Sequence, residues 1–171
     1  MSHIFRHISH YISHYISPYV LPYSIVLVIV LADQASKWFM LGLIFDPPRS
    51  IPLLPFLSLT PAYNRGISFG LLSGAGWVVP LAITLLGIAV GLALPVLARH
   101  WRWQPPALFG AWLVAGGALG NVIDRVRLGQ VVDFIHLYYG NWHWPIFNLA
   151  DSAITLGIIS ILWYGRSRDR P

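Results

Sequence analysis

The stretch that decides the fold is WVVPLAITLLGIAVGLALPVLA, residues 77–98. It carries no charge, and its length matches the roughly 20 apolar residues that a helix needs to cross the hydrocarbon core of a bilayer. A second uncharged run, residues 105–123, meets the same requirement. The sequence therefore predicts two consecutive membrane-spanning helices, joined by the short cationic segment 99–104.

The composition of the whole chain points the same way. Charged residues make up 10% of the 171 positions and hydrophobic residues 56%, whereas a soluble domain is about a quarter charged. Cysteine is absent, which excludes disulfides, thiolate nucleophiles and cysteine-type zinc sites. The net charge of +5 comes mostly from arginines near the ends of apolar runs. We interpret it as a signal for membrane orientation and exclude nucleic acid as a partner.

Two further spans follow if buried acids are tolerated. They are residues 19–45, interrupted by Asp33 and Lys37, and residues 147–165, entered through Asp151. A cleaved signal peptide is the alternative for the first, but no small-residue cleavage site follows it. The predicted fold class is thus an all-α integral membrane protein with four transmembrane helices. Cationic residues in the short loop, the tail and the N-terminal arm place both termini in the cytoplasm.

The chain divides into three parts on this reading. Residues 1–18 form a flexible His/Tyr/Ser-rich extension, for which an interfacial helix and weak metal chelation remain alternatives. Residues 19–165 form the membrane domain, and residues 166–171 a basic cytoplasmic tail. Within the first long connection, residues 52–72 alternate in places between apolar and polar side chains, which predicts short strands on the outer surface.

The polar residues of the helices fall on one side of the predicted topology. The outer ends of the first, third and fourth helices carry Asp33, Lys37, Asn121, Asp124, Arg125, Asn148 and Asp151. The two outward connections add Asn64 and Asp133. Because a charge at the centre of a spanning helix costs roughly 2.5–3.5 kcal/mol on insertion scales, such a gathering implies a shared polar cleft.

The six aspartates separate by their local surroundings. Asp46 and Asp169 are expected to be solvated, and Asp33 lies one turn from Lys37, so that a structural ion pair is the leading interpretation. Asp124 adjoins Arg125 and is equally well explained as a satisfied helix end. Asp133 has apolar neighbours and no adjacent cation, whereas Asp151 has capping of the last helix as its alternative.

If Asp133 and Asp151 meet in a cleft without water, ionising both carboxyl groups costs much free energy. The two groups therefore share one proton. One carboxylate then activates water against a peptide carbonyl, and the other polarises that carbonyl and helps protonate the leaving amine. The dipole of the last helix favours a charged Asp151. Which aspartate carries the proton stays open.

Other chemistries fit the residues less well. The G-x-S-x-G match at residues 66–70 lacks the strand-turn-helix setting of a hydrolase, and a serine–lysine dyad would need Lys37, which has an acidic partner nearby. A metal centre from His136, His143 and an aspartate lacks a recognised zinc motif, so neither metal nor cofactor is expected. An ion-coupled transporter using Asp33 and Lys37 is the alternative function, and a structural membrane adaptor is a third.

Five segments in order carry a resemblance to a known family. They are Asp33-Gln-Ala-Ser-Lys37, Asn64-Arg-Gly66-Ile-Ser-Phe69, Gly117-Ala-Leu-Gly-Asn121-Val-Ile-Asp124-Arg125, Val131-Val-Asp133-Phe134 and Phe147-Asn148-Leu-Ala-Asp151-Ser. Together they resemble the motif set of the lipoprotein signal peptidases (signal peptidase II), over roughly residues 22–165. Ile67 and Ser68 replace the small residues usual in the family, and the His-rich extension is not typical of it.

The resemblance implies an aspartic peptidase of the bacterial inner membrane, which removes the signal peptide of a prolipoprotein just before its diacylglyceryl-modified cysteine. It implies a catalytic pair at Asp133 and Asp151 and a small extracytoplasmic sheet from the first long loop that cradles the substrate. The implied partners are the lipidated prolipoprotein, membrane lipids and globomycin-type peptide inhibitors, and the expected state is a monomer. The positions that the resemblance assigns to support of the site are Asp33, Lys37, Asn64, Gly66, Asn121, Asp124, Arg125 and Asn148.

Overall fold

The computed structural model describes residues 17–66 and 77–165, which form helices α1 (Ser17–Ile44), α2 (Val78–His100), α3 (Pro105–Leu128) and α4 (Leu149–Tyr164). Within these residues, α1, α2 and α3 are long and apolar enough to cross a membrane. The 16-residue α4 is apolar but shorter, about 24 Å at 1.5 Å per residue. The mostly helical architecture is confirmed, while four complete spans remain a prediction.

Helix α3 forms the centre of the bundle. In the 18-residue apolar segment of each helix that could span a membrane, 61% of α3 is buried, against 17% of α1 and 17% of α2. Glycines on α3 bring the neighbouring helices close, as is usual for helix packing in membranes: Gly116 faces Ile29 of α1, and Gly117 faces the backbone of Ala150 in α4. Large apolar side chains such as Leu162 point outward, as expected for surfaces that contact lipid.

Four antiparallel strands form one sheet in the order β1 (Ile51–Leu54), β2 (Leu57–Asn64), β3 (Val131–Tyr139) and β4 (Trp142–His143). Strands β1 and β2 confirm the strands predicted in the first long connection. The sheet extends beyond the predicted connection, because β3 and β4 come from the connection between α3 and α4.

Asp133 accordingly lies on strand β3 and not in a loop. The reason is the β-branched and aromatic sequence around it, which pairs with β2 and buries Val131, Val132 and Phe134. Pairing with β2 fixes the position of Asp133, which sits opposite Ala62.

Several expectations fall on residues 1–16, 67–76 and 166–171, outside the described part of the chain. They include the His-rich extension, of which only residues 17 and 18 are described as the first turn of α1. The serine motif after Gly66, the Ile67-Ser68 replacement and the basic tail also lie there.

Candidate active site

The buried polar side chains of the helices collect where α1, the end of α3, the start of α4 and strand β3 meet. Asp33, Lys37, Asn121, Asp124, Asp133 and Asn148 are all buried there, and Asp151 is half-buried. The structure thus brings together the residues that the sequence placed on one side of the membrane domain.

Lys37 is the central cation of this cluster and is only 2% exposed. Its Nζ lies 2.9 Å from an oxygen of Asp33 and 2.9 Å from an oxygen of Asp124, and it donates to Asn121 Oδ1 at 3.0 Å. The predicted Asp33–Lys37 ion pair is present. The second partner, Asp124, had been paired with Arg125 on sequence alone.

Gln34 is a contributor that the sequence analysis did not single out. Its Nε2 donates to Asp124 Oδ1 at 2.9 Å and to the carbonyl of Gly120 at 3.1 Å. The other oxygen of Asp124 accepts the backbone N–H of Val132 at 3.1 Å. Gln34 therefore orients the carboxylate that holds β3 one residue before Asp133. The available signal was a polar side chain beside an acid in a spanning segment.

Asn148 and Asp151 form a reciprocal cap at the start of α4. The Asn148 side chain accepts the N–H of Asp151 at 2.9 Å, and Asp151 Oδ2 accepts the N–H of Asn148 at 3.2 Å. The next free N–H, that of Ala150, donates to Asp33 Oδ1 at 3.0 Å. The capping interpretation of Asp151 is thus confirmed, and it is compatible with a chemical role because the second carboxyl oxygen bonds elsewhere.

Two asparagines connect the two candidate aspartates. Asn148 Nδ2 donates to Asp133 Oδ1 at 2.7 Å, and Asn121 Nδ2 donates to Asp151 Oδ1 at 2.7 Å. The asparagines also bond each other, from Asn148 Nδ2 to Asn121 Oδ1 at 3.1 Å. The pair Asp133 and Asp151 is therefore held by one continuous amide network drawn from α3, β3 and α4.

Burial, and then the nearby Asp151 carboxylate, raise the pKa of Asp133 to about 6. Hydrogen bonds from Asn64 and Asn148 and the charge of Lys37 act in the opposite direction and are outweighed. Asp133 is 1% exposed, and this burial stabilises its neutral form relative to that of a solvent-exposed aspartate. Asp151 lies in the first turn of α4, at the end of the helix that carries the partial positive charge of the dipole.

Asn64 and Arg125 complete the site on the side of α2. Asn64 Oδ1 accepts the N–H of Gly66 at 2.8 Å, and Gly66 has a φ of 80°, which favours glycine. Arg125 is half-buried, its Nη1 reaches the carbonyl of Asn121 at 3.4 Å, and its buried Nε has no hydrogen-bond partner among the described residues. Arg125 thus has a buried donor that no described residue satisfies.

A cavity of about 340 Å³ opens beside Asp151 between α2, α3 and α4. Its polar lining consists of Asn121, Arg125 and Asp151. The remaining lining residues are Ile83, Leu86, Gly87, Val90, Val114, Ala118 and Ile154. An apolar chain can therefore lie directly beside a carboxylate. Within the described residues no group of three His, Cys, Asp or Glu side chains is suited to a metal ion.

Apolar helices surround a buried polar site, in which hydrogen bonds through two asparagines connect two carboxyl groups. The class of protein is therefore a membrane-embedded protein with an acidic centre. The family model for Signal peptidase (SPase) II matches residues 25–165. This chain belongs to the signal peptidase II family and is a protease, a multi-pass bacterial membrane protein that acts on lipoprotein substrates.

Individual relatives agree with the family assignment. The lipoprotein signal peptidase of Burkholderia mallei is 43% identical over 137 residues, which cover 80% of this chain and 82% of that protein. The one of Polynucleobacter necessarius is 42% identical over 139 residues, with 80% and 83% covered. A solved structure described as a bacterial membrane enzyme obtained by the in meso method superimposes with a TM-score of 0.61 at 28% identity, covering 87% of both chains.

Proposed function

We propose that this protein is an aspartic endopeptidase that cleaves diacylglyceryl-modified prolipoproteins just before the lipidated cysteine, with Asp133 and Asp151 as the catalytic pair. The observation that carries the proposal is the amide network in which Asn148 donates to Asp133 and Asn121 donates to Asp151. Two carboxyl groups held by linked donors, one of them buried, have the different surroundings that an acid–base pair needs.

The reaction begins with Asp133 neutral and Asp151 ionised. Asp151 accepts a proton from a water molecule as the water attacks the scissile carbonyl. Asp133 donates a hydrogen bond to the oxygen on which negative charge develops, and Arg125 and Asn64 supply further donors. Collapse of the tetrahedral intermediate breaks the carbon–nitrogen bond, and the proton that Asp151 took from water passes to the leaving amine. The pair then returns to its starting protonation state.

The apolar cavity beside Asp151 supports the proposal that the substrate carries a lipid. A diacylglyceryl group is apolar, and the hollow between α2, α3 and α4 brings such a group next to the reacting carboxylate. The resemblance supplies the remaining features of the proposal: an inner-membrane location, both termini in the cytoplasm, and a site near the extracytoplasmic face. A monomeric state and inhibition by globomycin-type peptides belong to the same proposal.

The decisive experiment is cleavage of a purified lipidated precursor by the variants Asp133→Asn and Asp151→Asn. Both are expected to insert and fold, because Asn keeps size and hydrogen-bonding capacity, and to lose at least about a thousandfold in turnover, since the paired groups act as a unit. Asp46→Asn, at an exposed turn position, is the matched control and should cleave normally. Normal turnover by either of the first two variants would overturn the aspartic mechanism.

A further inference from the structure

The sheet carries a second polar cluster on the face opposite Asp133. Side chains alternate along β3, so His136 and Tyr138 share one face while Asp133 lies on the other. Ser58 of β2 pairs with His136, and His143 of β4 pairs with Tyr138. These residues therefore line one hollow that is separate from the candidate active site.

The two imidazoles in this hollow converge through ring nitrogens. His143 Nδ1 lies 3.1 Å from His136 Nε2, with ring centroids 5.1 Å apart and planes inclined by 22°. Two nitrogens bound to one ion at about 2.05 Å lie roughly 2.9 Å apart at a right angle and about 3.3 Å apart at a tetrahedral angle. The observed separation falls between these values, so the two rings, which are hydrogen-bonded to each other, would have to turn for both lone pairs to face one ion but would not have to move apart.

The surroundings supply oxygen donors and room for water. The hollow measures about 320 Å³ and is lined by Ser50, Pro52, Ser58, Thr60, His136, Tyr138 and His143. Ser58 Oγ lies 3.0 Å from Thr60 Oγ1 and 3.5 Å from His136 Nδ1. A hydrogen bond donated by His136 Nδ1–H to Ser58 Oγ is the kind of contact that orients a ligating imidazole, and it leaves the lone pair of Nε2 for the ion.

We propose that His136 and His143 form a binding site for a late first-row divalent metal ion, such as Zn²⁺, with water or hydroxyl oxygens completing the coordination. Imidazole nitrogen is a preferred ligand of these ions. The ion replaces the proton that the two rings otherwise share, so its affinity falls as the pH is lowered. Two protein ligands give an exchangeable site, consistent with the lack of a three-residue ligand group among the described residues.

An anion is the competing occupant, because protonated histidines and hydroxyls bind phosphate. The geometry favours the metal ion, since two protonated rings would repel at a nitrogen–nitrogen distance of 3.1 Å. The site is also distinct from the metal centre considered on sequence alone, because the nearby Asp133 lies on the other face of the sheet. The proposal is independent of the aspartic mechanism.

The test is titration of the full-length protein in detergent with Zn²⁺ by isothermal calorimetry. The background carries Asn at positions 3, 7, 10 and 14, which removes the histidines of the N-terminal extension. This background is expected to bind one Zn²⁺ per chain, and His136→Gln and His143→Gln should each weaken binding by more than about tenfold. His100→Gln, at the exposed end of α2, is the matched control and should bind as the background does.

Electron paramagnetic resonance with Cu²⁺ as a second probe identifies the ligating atoms directly, in a protein that keeps both His136 and His143. Coupling to two imidazole nitrogens in the same background is the expected result, and it does not depend on the folding of a His136 or His143 variant. Failure of the background to bind Zn²⁺, binding by His136→Gln or His143→Gln as tight as that of the background, or binding of inorganic phosphate in place of the metal would each overturn the site.

Discussion

Asn148 donates a hydrogen bond of 2.7 Å from Nδ2 to Oδ1 of Asp133. The same residue caps α4, and in that role it also fixes Asp151 through reciprocal backbone and side-chain bonds. One side chain therefore sets the positions of both candidate catalytic carboxyl groups. Its two roles are separable, because capping uses Oδ1 and contact with Asp133 uses Nδ2.

Replacing Asn148 by Ser separates these roles. Serine is as good an N-cap as asparagine, so the helix start is retained, but the donor to Asp133 and Asn121 is lost. A hydrogen bond to a charged or shared-proton group is worth about 1.5–3 kcal/mol, and we expect turnover of a lipidated precursor to fall by roughly 10- to 100-fold. Asn148→Ala should lose the same activity and about 1 kcal/mol more stability.

Steady-state cleavage and reversible unfolding in mixed micelles measure the two effects. Asn141→Ser is the matched control, because Asn141 is an exposed residue of the β3–β4 turn, and it should change neither quantity. Wild-type turnover by Asn148→Ser would show that the Asn148–Asp133 bond has no catalytic importance.

The pH dependence follows from the raised pKa of Asp133, about 6. Because the proposed mechanism needs Asp133 protonated, kcat/KM should fall as the pH rises through about 6. The stability linkage has the same sign: the contribution is fully present below the ordinary value of 3.8 and is lost as the pH rises through about 6. Since the bond from Asn148 lowers this pKa, Asn148→Ser should move the alkaline limb to higher pH.

A profile of kcat/KM against pH for wild type and Asn148→Ser checks this prediction. Asn141→Ser again serves as the control and should follow the wild-type curve. An alkaline limb that moves to lower pH in Asn148→Ser would contradict the assignment of Asp133 as the acid.

Local patterns in the sequence predicted the helices well. Uncharged runs located α2 and α3, and capping of the last helix was the alternative interpretation of Asp151. The end of α3 was placed at residue 123, whereas the helix continues to Leu128. The charge of Asp124 had made the continuation look unfavourable, and its compensation by Lys37 comes from another helix.

Contacts between residues far apart in the chain could not be predicted from local sequence patterns. The contacts of Lys37 with Asp124 and of Ala150 N–H with Asp33 join residues far apart in the chain, and periodicity reports only near neighbours. Strand β3 was different, since its β-branched and aromatic residues were visible. The sequence placed Asp133 in a connection, whereas the β-branched and aromatic residues around it form β3.

Gly120 tests the close packing of α3 against the polar site. A Cβ at this position would lie 2.6 Å from Asp33 Oδ2 and 3.4 Å from the Cβ of Ala150. Gly120→Ala should therefore displace Asp33 from the start of α4, cost about 1–3 kcal/mol of stability as an overpacking change, and reduce turnover.

Gly42→Ala in α1 is the matched control, because a Cβ there meets no atom of the described residues within 4 Å. It should be neutral, or stabilising by up to about 1 kcal/mol through helix propensity. Unfolding in micelles and cleavage assays measure both variants. Equal behaviour of Gly120→Ala and Gly42→Ala would mean that the contact between α3 and Asp33 tolerates an added methyl group.

Lys37 compensates the charges of two buried carboxylates, those of Asp33 and Asp124. Lys37→Met keeps the length of the side chain but leaves Asp33 and Asp124 buried without their cation, and removal of one partner from a buried ion pair costs about 3–5 kcal/mol. The triple variant Asp33→Asn, Lys37→Met, Asp124→Asn removes all three charges and should recover most of that loss, although activity stays low because Asn121 has lost its contact with Lys37. Unfolding free energies of the two variants in the same micelles decide the point. A triple variant no more stable than Lys37→Met would show that Lys37 acts through its packing and not through the charges of Asp33 and Asp124.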